Sequence, residues 1–472
     1  MSQPAGTGGS APIVVAQRPT HGEPRPYHFP AFERRRLPNG VGVIAVDLPG
    51  RELVSASLVL PSGASDEGES EGGLTTLMAR GLSEGTRRHD AIALVEASER
   101  LGASMHAEAG WDALSVGVDV PIERLGAGLD LVADVMAEPT FPAAEIRRLR
   151  EERLNDLLQA RADPRRRAEE AFVETIYAPG SPYRRPAGGL RETVEHLDAA
   201  ACVALHSRRF DPARLTLVVG GDLTDVDVMA LATERFSAWS PGPTVEPSAP
   251  IGVAPARHDR LVRVIHRPGS VQTEIRIGHV GLPRRIDDFH ALSVMSAILG
   301  GLFNSRLNRK LREEKGYTYG ASAGFDLRRA AGPFAARAAV NTEVTVPAVQ
   351  DMLAELDRIR DSAVAREELH AARDFLVGVF PLRFETPPAV VGAIGGLVVH
   401  DLPVDELIRY RPAIEAVSID DVQAAAAAHI RTSEAAIVLV GDADAFLPAL
   451  EGAALGEIVV DRDEPEAHDT RA

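Results

Sequence analysis

The sequence predicts an α+β protein of two homologous domains, each an antiparallel-rich sheet covered by helices. Three observations predict this fold class. The chain has 472 residues, more than a single hydrophobic core usually supports. A proline-rich stretch over 241–257 divides it into nearly equal halves. The same strand and helix patterns then recur, in the same order, on both sides of that stretch.

The clearest repeat is the strand that ends each half. "LTLVVGGDL" (215–223) and "AAIVLVGDA" (435–443) are both apolar runs that end in Gly-Asp, and an alanine-rich helix precedes each of them. The halves also begin alike. "GVGVIAVDLPG" precedes "LVSASLVLPSG", and "LVRVIHRPGS" precedes "TEIRIGHVGLP", so each half is predicted to open with two strands joined and paired at a Pro-Gly turn. Duplication of one domain explains these matches.

The remaining elements follow in order from hydrophobic periodicity and from breaker residues. The predicted organisation is a flexible N-terminal segment over 1–29, a first domain over 30–240, the linker over 241–257, a second domain over 258–450 and a solvated tail over 451–472. Helices are predicted over 73–83, 89–101, 121–137, 143–172, 196–210, 287–300, 305–315, 345–361, 366–379, 386–400 and 417–430. Strands that alternate with helices but pair as hairpins favour antiparallel sheets over a doubly wound parallel one.

Composition excludes several classes of function. A formal net charge of −17 argues against a nucleic-acid or anionic-membrane surface. The single cysteine, Cys202, excludes an internal disulfide and a cysteine-built metal site, and it is predicted to be a small buried residue. The N-terminus has no basic start followed by an apolar run, and no segment approaches ~18 consecutive apolar residues. We expect a soluble cytoplasmic protein, or a periplasmic one if the start codon is misassigned.

One stretch of the second half has the residue types of a binding site. "LREEKGYTYG" (311–320) ends a helix predicted to run to position 315, and Gly316 is a natural residue to end it. Tyr317 and Tyr319 are expected to alternate on a following strand, so that Tyr319 points back toward Arg312. A guanidinium and a phenol that converge on one cleft would bind a carbonyl or carboxylate through directed hydrogen bonds.

These stretches resemble the M16 family of zinc metallopeptidases (pitrilysin, insulinase and mitochondrial processing peptidase) and its non-catalytic relatives. The resemblance spans about residues 34–450. "LPNGVGVIAV", "GGLTTLMARGLSEGT", "FDPARLTLVVGGDL" and "GGLFNSRLNRKLREEKGYTYG" carry it. The spacing of Arg312 and Tyr319 matches the substrate-binding pair of the family. The resemblance implies that they hold a peptide carbonyl and stabilise the developing oxyanion.

The sequence departs from the family where catalytic members carry His-x-x-Glu-His, the two zinc ligands and the catalytic base. The matching positions here are Thr76, Ala79 and Arg80, and the position of the third ligand, a glutamate, falls at Asn155 or Asp156. The resemblance therefore implies that this chain binds no metal and supplies no catalytic base.

A zinc site rebuilt from scattered residues is the open alternative. No two of the 14 histidines have a spacing that would place them as ligands on one helix turn or one strand face. A site would have to combine distant residues such as His89, His106 and His206.

A retained Arg/Tyr pair without the zinc motif resembles one subunit of the bacterial two-chain M16 enzymes. That resemblance implies a homologous partner with His-x-x-Glu-His, zinc on that partner, and a peptide substrate bound partly by strand addition at an exposed edge near 104–120. Two alternatives stay open. One is a structural or assembly protein, similar to the core subunits of a respiratory complex, and the other is a solitary peptide-binding protein.

Overall fold

The computed structural model describes residue 22 and residues 25–241 and 250–462. It contains two six-stranded sheets, one in each half of the chain. The strands are β1 Glu33–Arg36, β2 Gly42–Asp47, β3 Leu53–Leu60, β4 Ser104–Ala109, β5 Leu114–Pro121, β6 Thr216–Gly221, β7 Leu261–His266, β8 Gln272–Val280, β9 Ala321–Phe325, β10 Pro333–Asn341, β11 Ala436–Gly441 and β12 Glu457–Arg462.

Helices separate and cover the strands. They are α1 Leu74–Gly81, α2 Ala91–Arg100, α3 Leu125–Ala137, α4 Ala143–Ala162, α5 Pro164–Ile176, α6 Arg191–Val194, α7 Ala199–Arg209, α8 Val228–Phe236, α9 Phe289–Ser296, α10 Arg306–Asn308, α11 Thr345–Asp361, α12 Arg366–Val379, α13 Pro387–Val399, α14 Glu406–Ala416, α15 Ile419–His429 and α16 Ala443–Gly452. The predicted α+β class with two similar sheets is confirmed. Most neighbouring strands in each sheet are antiparallel.

The two sheets share one strand order. The first runs β1-β2-β6-β3-β5-β4 and the second β12-β7-β11-β8-β10-β9. In the first sheet β6 lies between β2 and β3, and in the second sheet β11 lies between β7 and β8. The two strands that open each half are therefore not paired with each other. The predicted pairing of the opening strands is wrong for this reason. β6 and β11 are buried at every position, and a strand covered on both faces is placed in a sheet's interior.

The repeated Gly-Asp motif has the same structural role in both halves. The turns after β2 and β7 each contain a glycine with positive φ, Gly50 at 76° and Gly269 at 75°. The N–H of Gly50 donates to the Asp222 carboxylate at 2.8 Å, and the N–H of Gly269 donates to Asp442 at 2.9 Å. Each aspartate therefore ties the end of an interior strand to the neighbouring turn.

The edge strands β1 and β12 occupy the same place in the two sheets but come from opposite ends of the chain. β1 is antiparallel to β2, whereas β12 is parallel to β7. The predicted solvated tail over 451–472 is therefore wrong for the residues of β12, whose Ile458 and Val460 pack against the second core. Residues 463–472 lie outside the described part of the chain.

Parts of the predicted N-terminal segment and of the predicted linker contact the two halves of the protein. Of residues 1–29, most lie outside the described residues, but Phe29 is only 3% exposed and packs against α13 and β2. The prediction of flexibility is wrong there because an aromatic side chain fills the cluster. Of the linker, 242–249 lie outside the described residues, while Pro255 forms a bridge with Tyr177.

Each half places one helix on the sheet of the other. Phe172 of α5 is fully buried and packs with Val438 and Val440 of β11, in the second sheet. In the other direction, Val391 and Ile394 of α13 pack against β2 and β6 of the first sheet. The first half thus supplies α5 to the second sheet, and the second half supplies α13 to the first sheet. Neither sheet is covered by helices of its own half alone.

The break between α4 and α5 sets up this exchange. A single helix over 143–172 was predicted, and it is wrong at Asp163. The Asp163 carboxylate accepts the backbone N–H groups of Arg165 (2.8 Å) and Arg166 (3.1 Å), which caps a new helix, and Pro164 occupies its first position. The chain changes direction there, so α5 can reach the second sheet.

Among the described residues, no single helix is both long and apolar enough to cross a membrane. The segments Arg366–Phe384 and Pro387–Val399 meet that test only as a pair, and the pair is bent by 112°. Both segments contribute buried side chains to the protein cores.

His279 on β8 is a buried imidazole with fixed hydrogen bonds. It is 4% exposed, its Nδ1 lies 2.9 Å from the carbonyl oxygen of Val280, and its Nε2 accepts the backbone N–H of Arg431 at 3.1 Å. The ring is therefore neutral, with its proton on Nδ1. Burial is the largest cause of a pKa lowered to about 4 for His279; the hydrogen bond to Val280 opposes this shift, and the nearby Arg431 adds to it.

We expect His279 to make the fold acid-sensitive. Its pKa is below the ~6.5 of an unfolded histidine, so between those values the unfolded chain binds more protons and stability rises with pH. The advantage of the wild type over His279→Gln in free energy of unfolding should shrink by up to ~3 kcal/mol between about pH 7 and about pH 4. Denaturant titrations across that range measure it. The exposed control His258→Gln should follow the wild type, and a pH-independent His279→Gln difference would contradict the assignment.

Candidate functional site

α1 carries the positions that match the zinc motif, and its start is firmly capped. Gly73 precedes the helix with φ of 94°. The carboxylate of Glu67 accepts the backbone N–H groups of Gly73 at 3.0 Å and Thr75 at 2.6 Å, and it pairs with Arg185 at 2.8 Å. The Glu67 side chain is fully buried, and burial raises its pKa despite these donors. A buried acid thus holds the helix in place.

None of the three motif positions on α1 offers a metal ligand. The hydroxyl of Thr76 donates to the carbonyl of Ala187 at 3.3 Å, and Ala79 is a fully buried methyl group. The guanidinium of Arg80 lies 2.6 Å from a carboxylate oxygen of Glu152 on α4. Hydrogen bonds from arginines, that of Arg80 first, lower the pKa of Glu152.

Asp156, the predicted position of the third ligand, is held by two arginines. Its carboxylate accepts two hydrogen bonds from Arg166, at 2.8 and 3.1 Å, and another from Arg153. The hydrogen bonds from Arg166 are the main cause of the lowered pKa of Asp156. These residues do not fit a zinc ion, because cationic guanidinium groups bind both carboxylates and, among the described residues, no histidine pairs with either of them. Glu152, which the sequence reasoning missed, is the acid that meets α1.

The scattered histidines are not brought together. Nε2 of His206 lies 2.8 Å from the carbonyl oxygen of Met136, and its ring stacks on Phe210. His89 lies beside Asp134 on α3, at 3.8 Å. His106 is on β4, opposite Gly117 of β5. Each of the three has different neighbours, so the alternative zinc site is wrong for these residues.

Within residues 25–241 and 250–462, one other group of side chains has the spacing of metal ligands: His266, Asp442 and Asp444. The duplication explains two of them. Nδ1 of His266 accepts the backbone N–H of Ala443 at 3.1 Å, as the carboxylate of Asp47 accepts the N–H that follows the first Gly-Asp motif. Asp442 holds the turn after β7. The group is therefore a variant of a structural feature that both halves contain.

Arg312 lies on an irregular helix at the edge of the second half. It belongs to the π-helical segment Arg309–Glu314, a wider helical turn that recurs at functional sites. Its guanidinium carbon stands 4.4 Å from the ring centroid of Phe303, and its Nε lies 3.4 Å from a carboxylate oxygen of Glu313. The Arg312 side chain is 35% exposed. Tyr319, the other residue of the predicted pair, is 94% exposed.

The predicted strand through Tyr317 and Tyr319 is wrong, since β9 begins only at Ala321. The reason is local hydrogen bonding. Gly316 has φ of 65°, and the hydroxyl of Thr318 donates to the carbonyl of Gly320 at 2.9 Å while accepting the N–H of Gly320 at 3.1 Å. These bonds satisfy the backbone within a turn. Among the described residues no hydrogen bond joins Tyr319 to Arg312, so their convergence stays a prediction.

The predicted sheet edge in the first half is present. β4 ends the first sheet and pairs only with β5, which is not itself an edge. Exposed and half-buried residues alternate along β4, and His106 and Glu108 are on the exposed face. Within the part of the chain that the structure describes, no strand pairs with the outer side of β4, so an extended chain could pair there.

Two protein-family models match the chain. One, described as insulinase (peptidase family M16), matches residues 43–185, and the other, described as the peptidase M16 inactive domain, matches residues 196–376. An uncharacterized zinc protease of Mycobacterium tuberculosis is 24% identical over 409 residues, covering 84% of this chain and 90% of that protein. A non-peptidase homologue of Helicobacter pylori, YmxG, is 22% identical over 337 residues, covering 70% and 75%.

Solved structures with the same fold include two from bacteria. A peptidase M16 inactive domain from Pseudomonas fluorescens superposes with a TM-score of 0.81 and 24% identity, over 87% of this chain and 98% of that one. A protease from Helicobacter pylori also gives 0.81, with 18% identity over 88% and 100%. The likeness therefore extends across both halves.

Proposed function

Because the chain belongs to the M16 peptidase family, we propose that it is the non-catalytic, substrate-binding subunit of a heterodimeric M16 zinc metallopeptidase. One contrast in the structure carries the proposal. The motif positions on α1 are occupied by Thr76, Ala79 and the ion-paired Arg80, whereas Arg312 and Tyr319 keep accessible side chains. Metal and base would come from a homologous partner with His-x-x-Glu-His, and the substrate is a peptide.

Two surfaces of this chain suit a peptide. The guanidinium of Arg312 and the hydroxyl of Tyr319 can both donate to a carbonyl oxygen, and such donors act most strongly on the charge that develops during hydrolysis. The guanidinium of Arg312 lies over the ring of Phe303, and this cation–π contact favours that position. The free edge of β4 can pair with the peptide backbone, which binds without demanding a particular sequence.

A purely structural role has less support. An assembly protein needs packing surfaces, and neither an exposed phenol nor an accessible guanidinium on a π-helical segment contributes to packing. A solitary peptide-binding protein would use the same two surfaces without a partner. Isolation of the chain from its native host separates these cases, because it reports partner and activity together.

We expect the purified chain to hold no stoichiometric zinc and to cleave no peptide, because its motif positions offer no ligand set. Metal analysis by mass spectrometry and a quenched fluorescent peptide library measure the two properties. Affinity purification from the native host should recover a homologous chain with His-x-x-Glu-His, together with peptidase activity that a chelator abolishes. One tightly bound zinc per isolated chain would contradict the proposal. A partner without that motif would favour the assembly role.

A further inference from the structure

The turn that carries Tyr319 is joined at both ends to the helical segment that precedes it. At its start, the backbone N–H of Tyr317 donates to the carbonyl of Leu311 at 2.8 Å. At its end, the backbone N–H of Ala321, the first residue of β9, donates to the side-chain oxygen Oδ1 of Asn308 at 2.8 Å. The second of these bonds is made by a side chain, so it depends on the identity of one residue.

The other end of the same amide fixes its orientation. Nδ2 of Asn308 donates to the carbonyl of Leu302 at 3.3 Å. That carbonyl can only accept and the N–H of Ala321 can only donate, so one placement of the amide oxygen and nitrogen satisfies both. Asn308 is half-buried and stands four positions before Arg312 on the same helical segment. It therefore fixes the end of the Tyr319 turn relative to the helix that carries Arg312.

The sheet offers the N–H of Ala321 no alternative acceptor. Antiparallel strands exchange hydrogen bonds at every second residue, and the N–H of Asp326 donates to Pro333, the first residue of β10, at 2.9 Å. The N–H of Ala321, five positions earlier, therefore points away from β10. Ala321 is 5% exposed, and a buried N–H is rarely left without an acceptor. Loss of the Asn308 side chain should consequently shift the turn.

We propose that Asn308 is a positioning residue that holds Tyr319 in place relative to Arg312 during peptide hydrolysis. Asn308 acts through the backbone on which the Tyr319 hydroxyl is presented, and it does not contact the peptide itself. This inference rests on the function proposed above, because only there does Tyr319 take part in a reaction.

Steady-state kinetics on the complex tests the proposal. Asn308→Ala should lower kcat by ~10-fold and change KM by less than ~2-fold, because it displaces a donor that acts in the transition state. In a Tyr319→Phe background the same substitution should lower kcat by less than ~2-fold, since the hydroxyl that it positions is already gone. Asn308→Asp keeps the acceptor for Ala321 and should recover most of the rate.

Hydrogen exchange on the full chain alone tests the contact without a partner. The amide of Ala321 should exchange ~10-fold or more faster in Asn308→Ala than in the wild type, and Asn308→Asp should keep its protection. The control is Asn304→Ala, at an exposed asparagine of the same segment, which should change neither this exchange nor kcat.

Three results would overturn the inference: unchanged exchange at Ala321 in Asn308→Ala, an equal loss of kcat in the wild-type and Tyr319→Phe backgrounds, or an Asn308→Asp variant as slow as Asn308→Ala. The first needs no partner, and the others would leave the proposed function intact if Tyr319→Phe and Arg312→Ala still lower kcat. Full activity of Tyr319→Phe and Arg312→Ala would instead overturn the role of the pair, and with it the role of Asn308.

Discussion

Replacing Arg312 by alanine is expected to lower the peptide turnover of the proposed complex with a zinc-bearing partner by ~10²-fold or more. The guanidinium is partly accessible and lies over the ring of Phe303, so its N–H groups are available as donors. Loss of a donor that acts on developing oxyanion charge lowers kcat more than it raises KM. Tyr319→Phe, which removes only the hydroxyl, should act in the same direction. Steady-state kinetics on a quenched fluorescent peptide measures both constants.

A matched control lies in the same helical segment. Lys310 pairs with Glu314 at 3.3 Å, and Lys310→Ala should change kcat by less than ~2-fold because an exposed ion pair contributes little. Arg312→Lys keeps the charge but loses the planar fork, so it should restore only part of the rate. Full activity in both Arg312→Ala and Tyr319→Phe would show that the role assigned to the pair is wrong.

Phe172→Ala is expected to lower the free energy of unfolding by ~3–5 kcal/mol, the usual cost of truncating a fully buried phenylalanine. Phe172 belongs to the first half, but its ring packs on β11 of the second sheet. The substitution should therefore loosen the second sheet. Denaturant titration gives the stability, and hydrogen exchange should show faster exchange at the amides of β8 and β11.

Two further variants define this effect. Phe172→Leu fills most of the cavity and should cost less than ~1.5 kcal/mol, whereas Phe375→Ala, at a side chain 49% exposed, should cost less than ~1 kcal/mol. If Phe172→Ala changed exchange only within the first sheet, the packing across the two halves would not contribute to stability as the structure indicates.

The positions of the strands and helices could be predicted from the sequence, but the order of the strands in each sheet could not. Apolar runs and breaker residues locate β6 and β11, but they do not say which strands lie beside them. Complete burial is the missing signal, since a strand with no polar alternation such as "TLVVGG" (216–221) belongs inside a sheet. The strand β12 was missed because "EIVVDR" (457–462) is an edge, with one polar face and few apolar residues.

For the candidate site, too, the positions of residues could be predicted from the sequence, whereas the contacts of their side chains could not. The match to the family motif located Arg312, which stands seven positions before Tyr319. The π-helical turn and the Thr318 turn, which decide where those side chains point, depend on local hydrogen bonds that periodicity does not report. The contact of Arg80 with Glu152 spans 72 positions and depends on how α4 packs against α1. No sequence pattern within either helix contains that information.

The exchange of α5 and α13 has a consequence for the origin of the chain. A single copy of this plan would leave one face of its sheet bare, and two such copies could cover both faces only by trading helices, which is a two-fold symmetric dimer. The tandem chain makes that trade intramolecular, so its two copies are always present in equal amounts and at high effective concentration. Two copies in one chain do not have to be identical, so each half can change in sequence independently of the other.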